Sequence, residues 1–329
     1  MNASDSAGRE ASSPTQIPKQ GWWSITKRVK EQVTADHMQI VAAGIAFYLF
    51  LSIFPAIVAI ISIYGLVVSP GQAESHINSM SAALPQQAHD AIRGFASGIA
   101  SKGSQALGWG TALSLFVSLW SANKATKAIF EGVGIAYSEN DERGFFKKIG
   151  LTLLTTFCGI LVGILLLVLV AVWPAMVGWL PLPSMLESAV SWARWPVMAI
   201  IVMFSLAAIY RVAPDRRKAQ WKWLSAGSVI ATILWIIGSV LFSWYVDNFG
   251  SYNETYGSFA VVIILMLWFF ITAFSVLLGA EINAETELQT ARDSTHEEPR
   301  PMGERDAYHA DHQAAQHDEG DQAFAKNPS

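Results

Sequence analysis

Long unbroken apolar runs, separated by short polar stretches, dominate this chain. Residues 149–172 and 259–280 each run for more than twenty positions with scarcely a polar interruption, where a soluble amphipathic helix would alternate faces every three or four residues. Crossing about 30 Å of hydrocarbon takes ~20 apolar residues in a helix. On that criterion the pattern predicts six spans, at 40–68, 107–123, 149–172, 189–210, 224–246 and 259–280. The fold class expected is an all-α polytopic membrane protein, with the transmembrane domain over 38–285.

The stretches around these spans read differently. Residues 1–20 are rich in Ser, Pro and Gln and predict a disordered N-terminal tail with no cleavable secretory signal. Over 21–37, Trp22, Ile25, Val29 and Val33 recur at helical spacing opposite Lys27, Arg28 and Lys30. That describes an amphipathic helix, lying either on a membrane surface or as a cap on the bundle. The first span exceeds the minimum length and holds Pro55 near its middle, which predicts a kink or a hinge, with Ser52 placed to offer its hydroxyl to the disturbed turn. Between 69 and 106 the pattern predicts two short surface helices opened by signals such as Pro85. Residues 286–329 are polar, acidic and His-rich without apolar periodicity, and predict a disordered tail.

Charge gives these spans a direction. Of 22 Lys and Arg, nineteen fall before the first span, between spans two and three, between four and five, or after the sixth; only Arg93, Lys102 and Arg194 fall on the other side. The positive-inside rule then places both termini in the cytoplasm, as an even number of spans also requires, and the compartment expected is the cell inner membrane. The net charge of −4 conceals a mildly basic body and a tail with ten acids and four bases. The bases are dispersed over span ends, so no nucleic-acid partner is expected; the expected partners are membrane lipids. The single cysteine, Cys158, lies within the third span and reads as a packing residue.

Polar groups close to apolar spans are the candidates for function, because a charge at mid-helix costs roughly 2.5–3.5 kcal/mol on insertion scales. Asn123, Lys124 and Lys127 reach the cytoplasmic interface at the end of the second span. They read either as snorkelling side chains or, with Glu281 and Asn283 at the end of the sixth span, as a vestibule for a lipid headgroup or other anion. Arg211, at the end of the fourth span, joins them as a candidate substrate contact. On the opposite side, 247–258 reads DNFGSYNETYGS, a loop folded over the bundle mouth or one that contacts substrate through Tyr252, Glu254 and Tyr256. His309, Asp311, His312 and His317 carry metal-ligand side chains but fall in the tail without preformed geometry, so no metal site is expected. No phosphate-binding Gly-Lys-Ser/Thr loop, Gly-x-Ser-x-Gly elbow or Cys-x-x-Cys pair is present in the sequence, and no cofactor is expected.

Several stretches taken together, AAGIAFYLFLSIFPA at 42–56, LWSANKATKAIFEGVGIAY at 119–137, YRVAP at 210–214, YNETYG at 252–257 and LGAEINAE at 278–285, resemble the YihY/BrkB family of bacterial membrane proteins over roughly residues 25–285. The resemblance implies a six-helix inner-membrane fold and a poorly defined activity. Some members carry an older ribonuclease BN label; others are linked to serum resistance or to transport of lipid-like envelope material. Nuclease chemistry needs convergent metal ligands. Outside the tail only His37, His76 and His89 are available, and the predicted topology puts His37 across the bilayer from the other two. The function expected is a transporter or flippase-like protein for a lipid or other amphiphile in envelope maintenance, with a non-transporting scaffold or envelope-integrity factor as the alternative, and not an enzyme.

Overall fold

The computed structural model describes residues 8–67, 104–171, 173, 183–248, 259–295 and 298–313. Among them the only β-type pairing is an isolated antiparallel bridge between Ala219 and Thr295. Helix α1 spans Lys19–Ala35, α2 Met38–Val67, α3 Ser104–Ala136, α4 Phe145–Ala171, α5 Ser184–Val212, α6 Trp221–Asn248 and α7 Phe259–Leu288; a 3-10 turn covers Pro14–Gln16 and a last helical turn, α8, covers Tyr308–Asp311. Four helices are long and apolar enough to cross a membrane, over Phe145–Val170, Ser188–Val212, Trp221–Val246 and Ala260–Leu288. A fifth candidate is the bent pair Lys19–Ala35 with Met38–Ile53, which turns by 64°. The turn sits at His37, whose φ of 51° is left-handed, a conformation short polar and imidazole side chains tolerate better than bulky or β-branched ones.

Apolar side chains face outward along these helices. Val240 and Leu241 are 63% and 60% exposed, and Leu154, Phe157, Ile164, Phe204 and Val261 are exposed in the same way. Water would disfavour so large an apolar surface, whereas hydrocarbon solvates it once the helix has satisfied its own backbone.

Two compact units divide the chain, Met1–Ala46 with Thr126–Ser329, and Phe47–Ala125. In the smaller unit, Phe47 and Tyr48 meet edge to face and Phe116 stacks on Trp120. Helix α2 continues through Pro55. The Ser52 hydroxyl donates to the Leu49 carbonyl at 2.7 Å, one turn back along its own helix. The predicted surface helices at 69–106 fall outside the described residues.

In the larger unit α7 packs along α6 and α6 along α5. Small residues make the α6–α7 approach close: a Cβ added to Gly279 would lie 2.6 Å from the Ala231 Cβ and 2.8 Å from the Gly227 carbonyl oxygen. Backbones that touch in this way gain dispersion contacts that lipid cannot offer. The Tyr210 hydroxyl, from α5, covers the same spot and donates to the Val276 carbonyl at 2.8 Å. Further along, the Trp235 indole N–H donates to the Thr272 hydroxyl at 3.1 Å.

At one end of these helices the polar connections lock together as a cap. Asp215 takes the Arg143 Nε–H at 2.9 Å and the Glu142 backbone N–H at 3.0 Å, tying the α3–α4 connection to the α5–α6 connection. The tail then folds over both. Gln220 donates its backbone N–H to the Ser294 carbonyl and its side chain to the Thr295 carbonyl, the Tyr308 N–H reaches Glu139 at 2.7 Å, and the His309 Nδ1–H donates to the Tyr137 carbonyl at 3.0 Å. Burial raises the Glu139 carboxyl above its usual range, although the Tyr308 N–H pulls the other way.

This cap departs from the sequence expectation at both ends of the chain. Residues 286–295 and 298–313, expected as disordered tail, are packed; Thr290, Ser294, Thr295, Arg305 and His309 are buried. Residues 8–20 are ordered as well, with Ala11 and Ile17 buried, the Ala291 N–H donating to the Arg9 carbonyl and the Thr290 hydroxyl to the Ala11 carbonyl at 2.7 Å. Both segments are held by hydrogen bonds to backbone carbonyls, and hydropathy periodicity has no term for that. Helix α1 resolves the choice left open for it: Ile25 and Val29 join Ala11, Ile17 and Trp223 in one apolar cluster, so this face is covered by protein.

Two expectations follow. Replacing Gly279 with Val drives a side chain into α6 and should cost about 1–3 kcal/mol, whereas Gly44→Ala, which meets nothing within 4 Å, should leave thermal unfolding in detergent unchanged; equal shifts for both would refute the close-approach account. The second concerns Asp293. Desolvation works to raise its carboxyl, but the Arg300 backbone N–H, the Thr295 hydroxyl and N–H, and the Arg305 charge outweigh it and hold the carboxyl below its ordinary value. A depressed folded value contributes stability above the unfolded pKa of about 4 and loses it as pH falls through the folded value. Protection of the amides of 289–295 and 298–313, relative to their intrinsic exchange rate at each pH, should therefore fall on acidification below about pH 4, and Asp293→Asn should lower it at neutral pH while flattening that dependence.

Candidate functional site

The apolar run of α7 ends in the sequence AEINAETE, which puts four polar side chains on its last turns: Glu281, Asn283, Glu285 and Glu287. All four are buried. Residues four apart share a helix face, so Glu281 pairs with Glu285 on one face and Asn283 with Glu287 on another.

On the second face every polar group finds a partner. The Asn283 Oδ1 accepts the Gly227 N–H at 2.7 Å and its amide donates to the Leu224 carbonyl at 3.3 Å. Glu287 receives both ends of the Arg216 guanidinium, at 3.0 and 2.7 Å, and the Ser294 hydroxyl at 2.8 Å. Arg216 also lies 4.3 Å over the Tyr137 ring. Burial alone would lower the Arg216 guanidinium, but the Glu287 carboxylate overcomes that and holds it above its ordinary value. Burial likewise pushes the Tyr137 phenol up, against the opposing pull of Arg216.

The first face is different. Glu285 accepts the Arg28 Nε–H at 2.5 Å, while Arg28 Nη2 donates to the Glu285 carbonyl at 3.2 Å and to Gln289 at 2.9 Å. One turn deeper, Glu281 is 1% exposed and its Oε2 has no hydrogen-bond partner among the described residues. The charges it faces are Glu285 and Asp36, both acidic. The site is thus net acidic, with Arg28 as its one described counter-ion.

The candidates named from the sequence are distributed as follows. Asn123 is buried, Lys124 exposed and Lys127 half-buried. Asn283 spends both ends of its amide on α6, and no ion pair joins Lys127 to Glu281 among the described residues. On the α7 side of the expected vestibule, Asn283 is engaged with α6 and Glu281 faces Glu285 and Asp36. Arg211 lies 4.7 Å over the Trp221 ring and its Nε has no partner, the posture of a cation stacked at an interface. Tyr252, Glu254 and Tyr256 fall outside the described residues. A 64° bend at His37 separates Lys19–Ala35 from Met38–Ile53, and α2 continues through Pro55. Arg28, Asp36, Tyr137, Arg216 and Glu287 went unnamed; Arg28 was placed on a solvent face and Glu287 in the tail, and their apposition has no local signal.

The Arg216–Glu287 pair is almost wholly buried, at 2% and 0% side-chain exposure. Removing one partner strands the other charge and should cost about 3–5 kcal/mol, whereas replacing both with apolar residues costs less. Thermal unfolding of Glu287→Met, Arg216→Met and the double variant should show the double as more stable than either single; losses that simply add would mean the two charges are not coupled.

Comparison with known proteins follows the same stretch of chain. The Virulence factor BrkB family model matches residues 29–303, from the middle of α1 into the packed tail. The ribonuclease-like protein YfkH of Bacillus subtilis is 28% identical over 279 residues, covering 79% of this chain and 94% of that protein. A UPF0761 membrane protein of Psychromonas ingrahamii is 35% identical over 88 residues, and another of Aggregatibacter aphrophilus 37% identical over 81 residues. Those two alignments span 30% and 29% of the relatives' length. No solved structure matches. With the family model running across the apolar helices and the polar cap alike, the chain belongs to the virulence factor BrkB family of membrane proteins.

Proposed function

We propose that this chain is a transporter or flippase-like protein that moves a lipid or other amphiphile across the cell inner membrane, with six spans and both termini in the cytoplasm. The observation that carries the reading is Glu281, a buried carboxyl with an unpartnered oxygen beside two further acids, on a helix long and apolar enough to span. Insertion of such a residue is costly and gives nothing to packing. A carboxyl so placed suits uptake of a proton or a small cation coupled to movement of a substrate.

The sidedness draws on the cap. The α3–α4 and α5–α6 connections, the N-terminal segment, α1 and the tail bond to one another, so they share a face, and that face carries most of the bases, which favours the cytoplasm. The scaffold alternative draws less support, because the apolar side of α1 and the tail up to residue 313 are engaged with the bundle itself. The ribonuclease-like name of the Bacillus relative is not carried over. Two of the available histidines, His309 and His312, direct Nδ1 at backbone carbonyls, which favours a non-enzymatic membrane protein.

Purified protein in liposomes should accelerate transbilayer movement of a fluorescent phospholipid, and Glu281→Gln should slow it at least tenfold without lowering the unfolding temperature. A variant that transports like the parent sinks the coupling role of Glu281, and no lipid movement in either sinks the transporter reading. Cysteine labelling at Lys30, Lys218 and Arg292 should succeed only from the cytoplasmic side.

A further inference from the structure

Where the tail crosses the start of α6, a cavity of about 330 Å³ opens on the cap. Four basic side chains, Lys222, Arg292, Arg300 and Arg305, line it against one carboxylate, Asp293. Its wall is built and not improvised. Arg305 is buried and its guanidinium is fixed by the carbonyls of Arg300, Ala310 and Ala291 at 3.1, 2.6 and 2.9 Å. All three acceptors are neutral, so they orient the group without cancelling its charge. Asp293 is also spoken for, by the Arg300 backbone N–H at 2.9 Å, by Thr295, and by Arg217 at 3.5 Å.

Charge is left over at the rim. The side chains of Lys222 and Arg292 are exposed and form no hydrogen bond or ion pair with the described residues. Arg300 pairs with Asp306 at 2.9 Å, on the solvent side. Counting both acids against the four bases leaves the cavity at +2 (4 − 2). A cavity of this size with a fixed guanidinium and two cations that have no partner among the described residues suits a compact dianion, and a phosphate group fits that description.

Position adds the source. Lys222 follows Trp221, an exposed tryptophan at the start of a helix long and apolar enough to span, and a tryptophan in that setting marks the depth of lipid headgroups. We propose that this cavity binds a phosphate group, presented by an anionic phospholipid headgroup or by a soluble phosphate. The site uses none of the residues around Glu281, and it goes beyond the transport reading and does not depend on it.

The test uses the full chain, with two arms. In the lipid arm, protein in detergent is offered equal phosphatidic acid and phosphatidylcholine, and retained lipid is counted by native mass spectrometry. In the soluble arm, protein in phosphatidylcholine nanodiscs is dialysed against radiolabelled inorganic phosphate. Lys222→Ser with Arg292→Ser should lower binding at least fivefold in one arm or both, the responding arm identifying the source. Lys27→Ser with Lys30→Ser, which removes two bases outside the cavity, should leave it unchanged. The cavity substitutions replace exposed side chains, and an unaltered unfolding temperature confirms that the fold is kept. The proposal is overturned if neither probe binds, if the cavity variant binds like the parent in both arms, or if the Lys27 and Lys30 substitutions reduce binding as much.

Discussion

The burial of four polar side chains at the end of α7 is the constraint around which the described structure is arranged. An ionised group taken out of water needs a counter-ion and full hydrogen bonding or it destabilises its surroundings by several kcal/mol. Glu287 obtains this from Arg216 and Ser294 and Asn283 from the backbone of α6, while Glu285 has Arg28 as its counter-ion. Each partner comes from a different element, so satisfying α7 draws in α1, the α5–α6 connection and the tail. The small residues at Gly227 and Gly279 let α6 come close enough for Asn283 to reach its backbone.

Glu281 stands outside this arrangement. Its neighbours are acids, and one of its oxygens has no partner. Natural proteins break local consistency where function requires it, which is why the functional reading rests on this residue and not on Asn283 or Glu287, whose polar groups are partnered. The basic cavity on the cap has the opposite polarity and a different set of residues. One end of the larger unit therefore holds an acidic site on one membrane-type helix and a basic cavity at the start of another.

The sequence was most legible where hydrophobicity alone decides. The run that becomes α7 was expected to span 259–280, and the helix covers Phe259–Leu288; the third predicted span, 149–172, lies almost wholly within α4, Phe145–Ala171. The extra turns of α7 are polar, because their partners replace the water that hydropathy assumes is needed. For the same reason residues 289–295 and 298–313 read as a disordered tail, although Thr290 anchors to the Ala11 carbonyl and His309 to the Tyr137 carbonyl, both far away in the chain. Glu281 and Asn283 were identifiable as costly polar residues near an apolar run. Their environment was not: Glu281 faces Asp36, the residue that follows α1, and Arg28, far away in sequence, pairs with Glu285.

By itself the sequence determined that the chain is helical and membrane-embedded, since runs of twenty apolar residues admit no other solvent, and its ordered motifs carried the family resemblance. Tertiary structure alone decided which charges neutralise one another, because Arg28 and Glu285 lie 257 residues apart and no local pattern encodes their meeting. It also decided that residues 8–20 and the described part of 286–313 are packed, that a 64° bend sits at His37, and that bases without a partner among the described residues gather at the start of α6. Hydrophobic burial can be summed from composition along a segment, whereas the pairing of charges depends on geometry that only the folded chain supplies.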